Sequence, residues 1–268
     1  MRTKRERVRL WVLGGLLLAT ALFALFMQVR RDRGMGPPAV AGTGAGPGLK
    51  RPVLGDELKP FLVRFGPARY SSHNEELFIR DFFSDERDGF FVDIGAGHFR
   101  DRSNTYFLEK KLDWSGIAID PLPDLAAGYR EHRPRTKFFA AFVSDVSDRR
   151  AILHVGENPL FSSAQSGFTK EYTEVKATIE VPTIRLDDLL DAEGVRRIDF
   201  VSLDVELHEP QVLAGFDIRR FLPRLVCVEA HPQVRQQIVD YFAQRQYVVV
   251  AKYLRADPQN LWFMPLSK

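Results

Sequence analysis

Seven short apolar runs alternate with helical patterns from residue 90 onward, and this alternation constrains the fold more than any other feature. Short, continuous apolar runs are typical of strands that are buried on both faces of a sheet. Because helices separate most of them, the chain is predicted to form an α/β fold with a mostly parallel, doubly wound sheet. The predicted strands are 90–95, 116–120, 138–143, 199–204, 225–230, 247–253 and 261–265.

The connections between these runs refine the prediction. The predicted helices are 104–112, 122–132, 186–192, 210–216 and 233–244. Only residues 254–260 join the last two strands, whereas a parallel crossover needs about a dozen residues, so the last strand should be antiparallel. Residues 150–182 interrupt the alternation with a polar stretch between two apolar ones. We expect an inserted hairpin or lid there rather than a helix.

The N-terminus contains eighteen uncharged, mainly apolar residues, 10–27. A helix of that length spans about 27 Å, close to the hydrocarbon thickness of a bilayer. A cleaved signal peptide and a helix of a soluble protein are the alternatives. The favoured organisation is a single-pass membrane protein, in which a basic flank and a transmembrane helix precede a Gly/Pro-rich linker and one folded domain. The corresponding ranges are 1–9, 10–29, 30–55 and 56–268.

Charge and cysteine content exclude several classes of protein. The net charge of +3 is misleading, because residues 1–50 hold nine Lys and Arg against two Asp and Glu. The remainder holds 29 against 33, so the folded part is mildly acidic and a broad nucleic-acid surface is not expected. A single cysteine, Cys227, excludes a disulfide framework and a cysteine-rich zinc site.

Polar side chains follow five of the predicted strands at their carboxyl ends, where open α/β sheets bind ligands. One such residue would mean little, but five strands with acids, glycines or imidazoles at one edge predict a site. These residues are Gly95, Gly97 and His98, then Asp120, Ser144 and Asp145, and then Asp204, Glu206, His208, Glu209, Glu229 and His231.

The glycine turn after the first strand indicates the kind of ligand. Gly95 and Gly97 permit a sharp turn and close approach of a ligand, and Asp120 ends the next strand, where an acid accepts hydrogen bonds from ribose hydroxyls. Arg100 occupies the third position of the dinucleotide glycine pattern, and Asp93 would repel phosphates but tolerate a cation. These residues favour S-adenosylmethionine (SAM) over NAD.

Several blocks of the sequence resemble the FkbM family of SAM-dependent methyltransferases. The resemblance extends from about residue 70 to 265, in the blocks 70–83, 89–110, 114–121, 181–190, 198–216 and 228–232. It implies a class I methyltransferase, Rossmann-like fold of seven strands with an antiparallel last strand. It also implies SAM-binding roles for Asp93, Gly95, Gly97 and Asp120, and further ones for Asn104 and Ser144. Asn104 could equally cap the first helix of the sheet domain.

One position departs from the family pattern. Leu207 follows Asp204 and Glu206 where the family commonly has glycine. If the backbone there is left-handed, leucine costs about 1 kcal/mol or more. We expect an altered substrate contact rather than loss of activity.

Methyl transfer to a hydroxyl benefits from a base that removes the proton. Asp204, Glu206 and His208 are the candidate catalytic residues for O-methylation of a hydroxyl on a sugar, glycan or other small metabolite. Asp204, Glu206, Glu229 and His231 could supply metal ligands, but no spacing matches a metal signature, so none is predicted. The alternatives are a membrane-tethered, non-catalytic binding protein on this scaffold and, less favoured, an NAD(P)-dependent oxidoreductase.

Overall fold

The computed structural model describes residues 54–266. The predicted basic flank, the predicted transmembrane helix and nearly all of the predicted linker lie outside this range. Among the described residues, no helix is both long and apolar enough to cross a membrane. The first described helix begins at Leu54.

Nine α-helices and ten β-strands form the described part of the chain. The helices are α1 (Leu54–Phe65), α2 (Glu75–Phe83), α3 (Tyr106–Leu112), α4 (Ala126–His132), α5 (Ser166–Tyr172), α6 (Leu186–Ala192), α7 (Glu209–Ala214), α8 (Ile218–Phe221) and α9 (Arg235–Ala243). The strands are β1 (Phe90–Ile94), β2 (Ser115–Asp120), β3 (Thr136–Ala140), β4 (Phe142–Ser144), β5 (Arg150–Gly156), β6 (Val175–Arg185), β7 (Phe200–Leu203), β8 (Leu225–Glu229), β9 (Tyr247–Val249) and β10 (Asn260–Pro265).

The main sheet has seven strands in the order β3-β2-β1-β7-β8-β10-β9. All its neighbours pair in parallel except β10, which is antiparallel to both β8 and β9. The predicted α/β fold and its antiparallel last strand are confirmed.

Apolar layers cover both faces of this sheet. In β1, Val92 and Ile94 join one apolar cluster, whereas Phe91 joins a second cluster with Trp114 and Trp262. Burial on both faces explains why the strands are continuous apolar runs rather than alternating ones.

Two predictions of local structure were wrong. The run 138–143 is two strands, because the chain leaves the main sheet at Ala141, and Phe142 then pairs with Thr183 of β6. The insertion contains the expected hairpin, β5 and β6, but helix α5 lies between these strands. A three-stranded sheet, β4-β6-β5, therefore stands beside the main one.

Helix α3 begins two residues later than predicted. The hydroxyl of Ser103 accepts hydrogen bonds from the backbone N–H groups of Thr105 and Tyr106, at 3.3 and 3.1 Å. Ser103 therefore satisfies the helix start, and Asn104 does not cap it. The Asn104 amide instead donates to Ser202 Oγ in β7, at 3.1 Å.

Candidate active site

A cavity of about 840 Å³ opens at the carboxyl edge of the main sheet, as the sequence predicts. The ends of β1, β2, β7 and β8 form its floor, with Gly95, Asp120, Asp204 and Glu229 among the lining residues. The insertion supplies an aromatic wall, made of Phe161, Phe168 and Tyr172. Its volume is in the upper part of the range for small-molecule sites, roughly 300–1,000 Å³.

The glycine turn after β1 is shaped by two different constraints. Gly95 has φ 76°, and a Cβ there would lie 1.7 Å from the backbone oxygen of Asp204, so no other residue fits. Gly97 has φ 57°, but a Cβ there would meet nothing within 4 Å. Gly95 thus lets two backbones approach each other, while Gly97 faces open space at the cavity wall.

Asp120 is joined to this turn. Its Oδ2 accepts the Gly97 N–H at 3.0 Å, and its Oδ1 accepts the Leu122 N–H at 2.9 Å. Burial raises the pKa of Asp120 to about 6, against the lowering effect of these two hydrogen bonds. Each oxygen keeps a free lone pair, so the carboxylate can still accept hydroxyl donors from the cavity.

Three predicted cofactor-binding residues do not line the cavity. Asp93 is buried and accepts a hydrogen bond from the Thr105 hydroxyl at 2.7 Å, and burial raises its pKa. Asn104 bonds to Ser202 as described above. Ser144 Oγ lies 3.1 Å from His208 Nε2. These residues support the strands behind the cavity rather than facing into it.

His208 also lies outside the cavity lining. Its ring centroid is 4.6 Å from that of Phe142, and burial lowers the pKa of its imidazole to about 4. A neutral imidazole that packs against an aromatic ring and a serine is a structural residue. The geometry therefore does not support the predicted catalytic role of His208.

Four carboxyl groups and one imidazole meet where β7 and β8 end. His231 Nε2 lies 3.0 Å from Glu229 Oε2 and 3.4 Å from Glu206 Oε2. These two neighbours raise the pKa of His231 to about 10, chiefly through the hydrogen bond with Glu206 and the close contact with Glu229. Asp204 and Glu209 lie close enough for their charges to act on this group. We call these five residues the acidic cluster.

Asp204 is the member best placed for chemistry. It lines the cavity and is exposed to it, close enough to Glu229 and Glu206 for their charges to act on its carboxyl group. Desolvation, followed by the charges of Glu229 and Glu206, raises the pKa of Asp204 well above its usual range. Desolvation likewise raises the pKa of Glu206.

The loop between β7 and α7 is held in an unusual backbone conformation. Glu206 and Leu207 both have positive φ, 53° and 76°, so the left-handed backbone considered in the sequence analysis is present at Leu207. The insertion holds this loop from outside: Ser163 Oγ donates to the Glu206 carbonyl at 2.8 Å, and Gln165 Nε2 donates to the Leu207 carbonyl at 3.4 Å. The insertion therefore positions the acidic cluster as well as walling the cavity.

Sequence reasoning missed a second imidazole–carboxylate pair in the cavity. His73 Nδ1 lies 3.5 Å from Glu75 Oε1, and both residues line the cavity. The Asn260 amide donates to the same Glu75 oxygen at 3.3 Å. No strand end marks this pair, because it lies before β1. The pairing of an exposed His with a buried Glu two residues later gives no recognisable pattern.

The fold and the glycine turn beside Asp120 define a nucleotide-cofactor site of the Rossmann-like class, and comparison with known families specifies it. A family model described as the methyltransferase FkbM domain matches residues 93–249, more than half of the chain. The chain belongs to the FkbM methyltransferase family, and it is a SAM-dependent methyltransferase. This confirms the resemblance drawn from the sequence and sets aside the oxidoreductase alternative.

Two solved structures described as O-methyltransferases are similar to this chain at low sequence identity. An O-methyltransferase from Bacillus cereus in complex with S-adenosylhomocysteine is 12% identical, with 80% of this chain and 90% of that chain covered at a TM-score of 0.41. A putative O-methyltransferase from Klebsiella pneumoniae is 12% identical, with 82% and 92% covered at a TM-score of 0.42. A search of curated proteins gave no match.

Leu207 gives a test of the left-handed backbone. Leu207→Ala and Leu207→Gly both remove a buried side chain, which costs about 2–5 kcal/mol of unfolding free energy. We expect the Gly variant to be the more stable of the two by about 1 kcal/mol, because a positive φ is strained for alanine but not for glycine. Leu213, buried in helix α7, is the control: there alanine should be more stable than glycine by about 1 kcal/mol. Urea unfolding of the four variants measures both orders, and the same order at both positions would contradict the prediction.

Glu209 gives a pH-dependent prediction. The residue is 0% exposed, and desolvation raises its pKa to about 7. A raised carboxyl pKa means that the folded state binds the proton more tightly than the unfolded state does. Protonated Glu209 therefore contributes fully to the free energy of unfolding below pH 4.5, and this contribution is lost as the pH rises through 7. Between pH 4.5 and pH 8 the wild type should lose up to about 3 kcal/mol of unfolding free energy that the Glu209→Gln variant keeps.

Urea unfolding at several pH values checks the Glu209 prediction. Glu180→Gln, at an exposed glutamate of β6, is the control and should follow the wild type. Parallel pH profiles for the wild type and Glu209→Gln would refute the assignment.

Proposed function

We propose that the protein transfers the methyl group of SAM to a hydroxyl of a small acceptor, such as a sugar, a glycan or another small metabolite. The observation that carries this proposal is Asp204, a carboxyl group of raised pKa that lines the same cavity as the glycine turn. A base of raised pKa takes a hydroxyl proton more readily near neutral pH than an ordinary carboxylate does.

The residues around the glycine turn fit the cofactor. Gly97 leaves open space beside the cavity wall, and the carboxylate of Asp120 has lone pairs free for two ribose hydroxyls. Gly95 and Gly97 would hold the cofactor against the backbone. Bound SAM supplies an electrophilic methyl group on a positively charged sulfur that leaves as a neutral thioether.

The acceptor side of the cavity is built for a ring with a hydroxyl. Phe161 and Tyr172 stack with their ring centroids 5.2 Å apart, and Phe168 lies 4.8 Å from Tyr172. Such an aromatic wall packs against the apolar face of a sugar or another ring. Asp204 would accept the hydroxyl proton as the acceptor oxygen bonds to the methyl carbon, and Glu206 would orient that hydroxyl.

Measurements of cofactor binding and of methyl transfer test the proposed cofactor site and the proposed base separately. Asp120→Ala should weaken SAM binding in calorimetry by about 30-fold or more, because two hydrogen bonds to a charged group are lost. Asp204→Asn should bind SAM normally but lose about 100-fold or more of methyl transfer, measured with methyl-labelled SAM against a panel of sugars, glycans and small hydroxylated metabolites. Asp124→Ala, at an exposed acid beyond β2, is the control and should change neither.

Three results would count against the proposal in different ways. Normal transfer by Asp204→Asn would remove Asp204 as the base. Normal SAM binding by Asp120→Ala would remove the cofactor site assigned here. SAM binding by the wild type with no labelled product from any acceptor would favour a non-catalytic, SAM-binding protein.

We also propose that residues 10–29 anchor the protein in a membrane, with the side of the catalytic domain left open. The uncharged run and its basic flanks support this proposal. The full-length chain should sediment with membranes and resist extraction by carbonate, while a chain lacking residues 1–33 should stay in the supernatant. Extraction of the full-length chain by carbonate alone would refute the anchor.

A further inference from the structure

Three side chains of the acidic cluster converge on one point of the cavity. The nearest atoms of Glu206, Glu229 and His231 all lie within 4.8 Å of one another. These residues come from two neighbouring strand ends, and all three line the cavity. The chain thus presents two carboxylate oxygens and one imidazole nitrogen to a single small volume.

The cluster leaves buried oxygens without a hydrogen-bond partner. Glu229 Oε2 is buried and receives no hydrogen bond, although the His231 ring nitrogen lies 3.0 Å away as an ion-pair partner. Glu209, which is 0% exposed, uses Oε1 to accept the Val205 N–H at 3.1 Å, while its Oε2 has no partner. A buried carboxylate oxygen that lacks a donor is costly, so Glu229 Oε2, whose residue lines the cavity, points to a further positive group there.

When its carboxyl groups are ionised, the cluster carries more negative than positive charge. Four carboxyl groups, those of Asp204, Glu206, Glu209 and Glu229, face one imidazole. Among residues 54–266, His231 is the only basic side chain that forms an ion pair with any of the four. A small cation in the cluster would compensate this excess of negative charge.

The distances fit a metal ion. Two ligands in neighbouring octahedral positions, each about 2.1 Å from the ion, lie about 3.0 Å apart. His231 Nε2 lies 3.0 Å from Glu229 Oε2 and 3.4 Å from Glu206 Oε2. Small side-chain rotations are enough to bring all three atoms into one coordination sphere. The two left-handed residues and the hydrogen bond from Ser163 hold Glu206 in place for this geometry.

We propose that Glu206, Glu229 and His231 bind a divalent metal cation at the floor of the cavity, with Asp204 beside it. One imidazole and two carboxylates suit Mn²⁺ or Zn²⁺ better than Mg²⁺ or Ca²⁺, which prefer oxygen ligands alone. Three protein ligands leave coordination positions open towards the cavity.

An open position gives the cation a function in methyl transfer, and this part rests on the proposed function. The acceptor hydroxyl would coordinate the cation, which lowers the pKa of that hydroxyl, and Asp204 would take its proton. The cation would also fix the acceptor oxygen beside the aromatic wall. Metal binding itself is independent of the identity of the acceptor.

Mn²⁺ binding to the purified full-length chain tests the site directly. Free Mn²⁺ gives a six-line electron paramagnetic resonance signal, and titration of the wild type should remove the signal of about one Mn²⁺ per chain. Glu229→Gln and His231→Ala should each weaken binding by about 100-fold or more, because each removes a ligand. His73→Ala is the matched control, since it alters the other imidazole–carboxylate pair of the same cavity and should bind Mn²⁺ as the wild type does.

A second measurement covers variants that fail to fold. In the wild type, saturating Mn²⁺ should raise the unfolding temperature by roughly 5–10 °C, and pulsed resonance should detect coupling of the bound ion to a histidine nitrogen. Zn²⁺ should displace Mn²⁺ at similar concentrations, whereas Mg²⁺ should need a large excess.

The outcomes separate the metal site from the proposed function. No binding by the wild type, unchanged binding by both folded variants, or bound Mn²⁺ without nitrogen coupling would each overturn the metal site. SAM is titrated into the same samples with and without Mn²⁺. SAM binding without Mn²⁺ binding would refute the metal site and leave the proposed function standing. Mn²⁺ binding without SAM binding would support the metal site and refute the cofactor assignment.

Discussion

The close packing of two backbone segments, at the ends of β1 and β7, determines the geometry of the whole site. The Asp204 N–H donates to the Ile94 carbonyl at 3.0 Å, and the next residue along β1, Gly95, has no space for a Cβ against the Asp204 carbonyl. The glycine turn after β1 and the loop that carries the acids are therefore one packed unit. Any side chain at position 95 would separate them, and both halves of the cavity would lose their geometry together.

The two sides of this packed unit differ in their electrostatics. On the β1–β2 side, Asp120 accepts two backbone N–H groups and needs only uncharged hydroxyl donors to complete its hydrogen bonds. On the β7–β8 side, carboxylate oxygens of Glu206 and Glu229 lie within 4.8 Å of each other. When both are ionised, two such groups repel by about 3–4 kcal/mol in a medium of effective dielectric constant near 20. That repulsion can be reduced by protons, by His231 or by a further cation. A site with this charge is suited to a reaction that releases a proton, because the carboxyl groups are poised to take one.

The sequence predicts the sheet and the cofactor turn well, because both depend on local patterns. Apolar runs mark the strands, and Gly95, Gly97 and Asp120 lie at strand ends, where chain order alone brings them together. The departures come from tertiary contacts. Nothing in the run 138–143 shows that the strand changes partner at Ala141, since both halves are apolar and both are paired. His208 looks like a candidate base in the sequence, but it packs against Phe142 and Ser144 and is not among the residues that line the cavity.

The acidic cluster is a clearer case of an arrangement that depends on tertiary contacts and that the sequence does not reveal. Glu206, Glu229 and His231 are separated by 25 residues or fewer, yet no short spacing of the kind found in metal-binding sequences connects them. They meet only because β7 and β8 are neighbours in the sheet and the connecting loop bends at Glu206 and Leu207. Metal patterns are readable in sequences when one turn or one helix supplies most ligands, whereas here two strand ends supply them.

Leu207 links the packing of the domain to the rigidity of this loop. Its left-handed backbone lowers the free energy of unfolding by about 1 kcal/mol, but burying a leucine side chain raises it by about 1.5–3 kcal/mol. The sum of the two contributions favours leucine. The side chain is only 7% exposed and packs in the same apolar cluster as Val212 of helix α7. Glycine would relax the backbone but would leave the loop free to adopt other conformations. Leucine therefore ties the loop to the core and holds Glu206 and Asp204 in one arrangement, which a site that must place several acids around one reacting atom requires.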